Sequence, residues 1–158
     1  MWPWFGLVAR LVVGGVWIVA GALKLPDPAE SVLAVRAYQL LPEAVVPTVG
    51  HALPAVEIVV GACLVLGVLT RGSAVVSFLL FAAFVFGISW AWAKGLQIEC
   101  GCFGGGGFDE RASDKYPGDI ARDVGLAALS AYLVWRPHSR FAADSLLFPD
   151  HDTERVPS

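Results

Sequence analysis

The chain has 158 residues, close to the roughly 150-residue prior for one domain, with 56% hydrophobic and only 16% charged residues and a mean hydropathy of +0.65. Soluble domains carry about 25% charged residues, and a water-soluble globule of this size cannot hide so much apolar surface. The net charge of −3 and three cysteines exclude disorder, nucleic-acid binding and a disulfide-framework mini-protein, which leaves an integral membrane protein.

The first span covers about residues 3–25 and contains Arg10, with Lys24 at its end. Its MWPWFGLVARL start lacks the basic region and small-residue cleavage site of a secretory signal, so the span is expected to be retained as a helix. Arg10, Gly14, Trp17, Gly21 and Lys24 follow spacings of 4, 3, 4 and 3, which puts both charges and both glycines on one helical stripe. Arg10 is expected to snorkel toward the membrane face opposite Lys24. Pro26-Asp27-Pro28 ends the span, because proline cannot continue a helix. Ala29–Leu41 mixes Val32, Val35, Leu40 and Leu41 with Glu30, Arg36 and Gln39, the pattern of a short amphipathic helix lying in the interface.

The second span, about 46–70, holds only Glu57 as a charge, with Gly61 on the same face and Pro54 one turn earlier. A tight Thr70-Arg71-Gly72 turn leads to the third, 72–93, whose 22 uncharged residues cover the roughly 30 Å hydrocarbon core unaided. Lys94–Gly118 is a polar loop with two of the three cysteines. The fourth span, about 119–136, starts with Asp119 and Arg122, three apart and able to pair, and Asp123. Trp2, Trp4 and Trp135 fall at one interface and Trp90 and Trp92 at the other, as aromatic belts do. Residues 141–158 are polar, contain two prolines and are expected to be a disordered tail. The expected fold is therefore all-α: a membrane four-helix bundle within residues 1–140, with a short interfacial helix and an extracytoplasmic cysteine loop.

Ionisable residues inside spans cost about 2.5–3.5 kcal/mol each on insertion scales and need partners. By depth, Glu57 pairs with Lys24, Arg122 or Arg10. The cluster Arg10, Lys24, Glu57, Arg122 and Asp123 is either a clasp that fixes helix register or a substrate or proton site.

Cys100-Gly101-Cys102 carries the chemistry, followed by Phe103 and four glycines. Two thiols flanking one glycine can close a small ring, because glycine permits the sharp bend. Such a disulfide is strained, exposed and therefore labile, and it staples almost no chain. A zinc site needs more ligands than this loop offers, with only His51 on the same side; packing alone is a poor account of cysteines in a glycine-rich loop. Thiol redox chemistry is the reading favoured over metal or packing. Lys94 and Glu99 bias the pair so that Cys102 is the more thiolate-like member. Cys63, inside the second span, is expected to be a buried thiol acting as a small hydrophobe.

Arg10 with Gly14 and Lys24, Leu41-Pro42, Pro54 with Glu57, and Cys100-Gly101-Cys102-Phe103-Gly104 together resemble the DoxX-like membrane proteins. The MauE (methylamine utilisation) branch is the most similar, over about residues 5–135. The resemblance implies a four-helix bacterial inner-membrane protein that helps form disulfides in an exported partner, often beside a thioredoxin-fold protein. The wider family includes quinone-linked subunits, which makes a quinone the cofactor to consider. Lysine and arginine counts are equal on the two sides, so the positive-inside rule gives no orientation. Disulfide exchange is productive in an oxidising compartment, which puts the loop outside and both termini in the cytoplasm. The alternatives are a small transporter or channel subunit lined by Glu57 and the basic residues, and a non-catalytic anchor for a partner enzyme.

Overall fold

Proline and glycine set most of the boundaries. The computed structural model describes residues 2–98 and 110–136, with side chains from residue 4 onward. These residues form five helices: α1 (Trp2–Lys24), α2 (Pro28–Ala37), α3 (Val46–Leu66), α4 (Thr70–Ala93) and α5 (Ala112–Trp135). Asp27 caps α2, its carboxylate accepting from the amides of Ala29 and Glu30 at 3.1 and 3.3 Å, while Pro28 occupies the first turn, where no amide is needed. α2 stops four residues earlier than the amphipathic pattern suggested, because Gln39 turns left-handed at φ 54°. Cys100, Cys102 and the 141–158 tail lie outside the described residues.

The turn between the second and third spans is also displaced. α3 ends at Leu66 and Gly67 takes φ 73°, the left-handed cap that glycine adopts without a Cβ clash. The Val68 amide closes the cap on Cys63 O at 2.9 Å. The chain therefore turns through Gly67–Leu69, and Thr70, Arg71 and Gly72 already belong to α4.

α5 begins at Ala112 rather than near residue 119, so half of the expected polar loop's second arm is helical. Pro117 sits in its second turn and withholds one backbone donor there. Three helices (α1, α3 and α4) are long and apolar enough to cross a membrane. α5 equals α4 at 24 residues, but its polar first half leaves Val124–Trp135, about 18 Å of helix, as the uninterrupted apolar part.

α1 runs antiparallel against α3 and α4 antiparallel against α5, and these are the two most extensive helix pairings. One core joins them: Ala9, Val13 and Trp17 from α1, Val60 and Leu64 from α3, Ala74 and Phe81 from α4, and Leu126 and Leu133 from α5. A second cluster, around Ile88, Ala91, Ala112 and Tyr116 with Tyr38, Leu96, Ile98 and Ile120 packed on it, closes the end from which the cysteine loop departs. Large apolar side chains such as Val59, Leu66, Leu79 and Phe86 point outward with about 60% of their surface exposed, as expected where the surroundings are lipid.

Candidate functional site

The glycine stripe of α1 brings two helices into backbone contact. A Cβ on Gly61 would lie 2.7 Å from Gly14 O and 2.9 Å from Ile18 N, and one on Gly21 would lie 2.9 Å from Pro54 O. Small residues let membrane helices approach this closely. The approach carries the two cations of the stripe into α3.

Lys24 Nζ bonds Glu57 Oε1 at 2.6 Å, with the two side chains only 3% and 0% exposed. Of the three partners expected for Glu57, the geometry selects Lys24. The ammonium also stands 5.8 Å from the centre of the Phe84 ring, within reach of a cation–π contact. Glu57 Oε2 has no hydrogen-bond partner among the described residues.

Arg10 does not snorkel. It is fully buried, and its Nε donates to Leu64 O at 3.0 Å and its Nη2 to Val65 O at 3.2 Å. The last carbonyls of a helix lack intrahelical partners and carry its negative dipole end. Gly14 against Gly61 brings Arg10 level with that end of α3, where a buried guanidinium is better satisfied than at the lipid surface. Arg122 is engaged within α5, bonding Asp119 at 3.2 Å and Asp123 at 3.0 Å. The five charges, joined by Asp119, thus fall into three groups: Lys24–Glu57, Arg10 on the α3 end, and Asp119–Arg122–Asp123.

Three elements of the site escaped the sequence. Trp17 Nε1 donates to Ser77 Oγ at 2.7 Å, and Ser77 stands 2.9 Å from Ser130 Oγ, which donates to Leu126 O at 3.0 Å. This buried relay ties α1, α4 and α5 together, and isolated serines in apolar runs are its only sequence trace. Tyr116, 1% exposed, reaches back with its hydroxyl to Leu96 O at 2.6 Å, Ile98 O at 3.0 Å and the Ile98 amide at 3.2 Å. Ile98 lies two residues before Cys100. Finally, Ala34, Tyr38, Leu53, Leu80, Phe84 and Gly87 help to line a cavity of about 460 Å³ between α2, α3 and α4. The Tyr38 ring packs beside Gly87 of α4, where a Cβ would meet it at an ordinary contact distance of 3.5 Å. Burial pushes the Tyr38 phenol above its ordinary pKa, so it stays protonated.

Cys63 is half-buried with a free thiol, more accessible than expected. His51 is exposed, with Nδ1 2.6 Å from Pro47 O. Trp92 and Trp135 stand exposed at opposite ends of the molecule.

Three apolar helices long enough to span, an apolar exterior and paired internal charges define a multi-pass helical membrane protein. The chain belongs to the family described as methylamine utilisation protein MauE, which it matches over residues 2–136. That match ends where the described helices end. Among curated proteins and among solved structures, nothing matches the chain.

Proposed function

We propose that this chain is a membrane thiol–disulfide exchange protein in which Cys100 and Cys102 form the exchanging pair. The observation that carries the reading is the Cys100-Gly101-Cys102 motif, two residues beyond a backbone stem that Tyr116 holds to the end of the helical core. The α5 helix is the fourth span in this reading, its Asp119–Arg122–Asp123 group satisfying itself near the loop side. The loop then faces the oxidising side of a bacterial inner membrane and both termini the cytoplasm.

The exchange transfers two electrons. The Cys100–Cys102 disulfide is attacked by a thiolate of an extracytoplasmic thioredoxin-fold partner, giving a mixed disulfide. The partner's second thiolate then breaks that bond, so the partner leaves oxidised and Cys100 and Cys102 leave as thiols. The family's description as a methylamine utilisation protein supports a role for the exchange in that process. Continued turnover needs an acceptor, and a membrane quinone, which takes two electrons and two protons, is the class that suits an apolar site. The cavity beside Tyr38 supports it: the volume of about 460 Å³ is that of a small-molecule site, the walls are aliphatic and aromatic, and one protonated phenol is at hand.

The test is a trap. When the exchange runs in reverse against an oxidised partner, Cys100→Ser leaves the more thiolate-like Cys102 to attack the partner's disulfide with no Cys100 to resolve it, so a mixed disulfide should accumulate on a non-reducing gel of purified membranes. Cys102→Ser should abolish it. If neither variant traps a partner and the double serine variant leaves disulfide formation in exported proteins unchanged, the assignment fails.

A further inference from the structure

The Tyr116 hydroxyl makes contacts that its burial alone does not require. A phenol carries one proton and can accept as well as donate. The shortest contact, 2.6 Å to Leu96 O, takes the proton, while the Ile98 amide at 3.2 Å donates to the same oxygen. One side chain on the second turn of α5 thereby holds two backbone positions that flank Gln97, just before the cysteine motif. Its ring is fixed independently. It packs with Ile88, Ala91 and Ala112, with Ile120 and Tyr38 alongside, and its centroid lies 6.5 Å from that of Trp92. The phenol therefore links the helix after the loop to the stem before it.

Resting on the thiol-exchange reading, we infer that Tyr116 is a positioning residue for Cys100 and Cys102. Its hydroxyl fixes the stem at Leu96 and Ile98, and so sets how readily the two thiols close. Ring closure between thiols one residue apart admits few backbone conformations, and only Glu99 separates the held amide from Cys100. A stem pinned at both 96 and 98 removes freedom that the dithiol would otherwise lose on oxidation. Releasing it should favour the dithiol and make the disulfide easier to reduce.

The experiment equilibrates the full chain, purified in detergent, with glutathione buffers of graded poise. Each closure joins Sγ of Cys100 to Sγ of Cys102, while one oxidised glutathione accepts the two electrons and two protons and becomes two thiols. Mass-tagging of free thiols reads the midpoint. Tyr116→Phe deletes the hydroxyl and keeps the ring. It should shift the closure equilibrium about three- to tenfold toward the dithiol, the size of one hydrogen bond, or up to about 30 mV for a two-electron couple. Ile120→Ala loosens the same cluster but retains the phenol, and its midpoint should stay with the wild type even if it melts earlier. Equal midpoints for wild type and Tyr116→Phe overturn the inference while leaving thiol exchange intact. So does an equal shift in both variants, because packing alone then suffices. A wild type whose two thiols never interconvert with glutathione overturns the inference and the exchange reading together.

Discussion

Glu57 and Lys24 are both buried ionisable groups, paired with one another across α1 and α3. Removing one partner of such a pair leaves an uncompensated charge, at a typical cost of about 3–5 kcal/mol. Glu57→Gln should therefore lower the amount of folded protein in the membrane and its melting temperature in detergent. The apolar pair Lys24→Met with Glu57→Leu should recover most of that loss, since well-packed apolar replacements of buried ion pairs are often neutral. If the double variant accumulates normally yet exchanges no disulfides, the pair serves turnover as well as structure. At the surface, Arg36 Nη2 lies 2.6 Å from Glu43 Oε1, and this bond holds the Glu43 carboxyl below its ordinary pKa. A depressed folded pKa gives stability that is present above the unfolded value and lost as pH falls through the folded one. The melting difference between wild type and Glu43→Gln should accordingly vanish in acid, below the usual carboxylate range.

At the scale of helices, the α1–α3 contact depends on absent side chains. Gly61→Ala places a methyl 2.7 Å from one backbone oxygen and 2.9 Å from a backbone nitrogen, neither of which can rotate away. The helices must separate, and overpacking of this kind costs about 1–3 kcal/mol. Gly72→Ala meets nothing within 4 Å and should be neutral or slightly stabilising in a helix; melting curves of the two variants test the contrast. The two faces were legible in the sequence, as a 4-3-4-3 stripe of charges and glycines on one span and a Glu57–Gly61 step on another. Their pairing was not, since Lys24, Arg122 and Arg10 all stayed open as partners of Glu57. The fate of Arg10 was not legible: periodicity gives a face but not the height of the partner helix's last carbonyls. Nor was the start of α5, where Pro117 and a run of polar residues read as loop until the Ala112 and Tyr116 side chains are seen buried against α4. Tyr116 itself had no local signature, since its partners are backbone atoms 18 and 20 residues away.

Across the whole molecule, the loop stem sits at the opposite pole of the helices from the start of α1 and the end of α5. In the proposed orientation, a membrane-impermeant maleimide should label Cys100 and Cys102 in intact cells after reduction, and hardly at all before it. Labelling of the pair only after permeabilisation reverses the orientation, and equal labelling with and without reduction removes the resting disulfide. Cys63 is half-buried within α3, a helix long and apolar enough to cross the membrane. It should react only once detergent has replaced lipid, because the reactive thiolate is disfavoured in apolar surroundings.

Arg10 donates to the last carbonyls of α3 and Lys24 bonds Glu57 of the same helix, at two points fourteen residues apart along α1. Without α3, Lys24 lacks the Glu57 carboxylate and Arg10 lacks the carbonyls of Leu64 and Val65. The first helix should therefore become fully seated only once the ribosome has delivered Val65, with α1 and α3 entering as a single biogenetic unit. Nascent chains truncated before Glu57 should be extracted by alkaline carbonate, whereas chains extending past Gly67 should resist it.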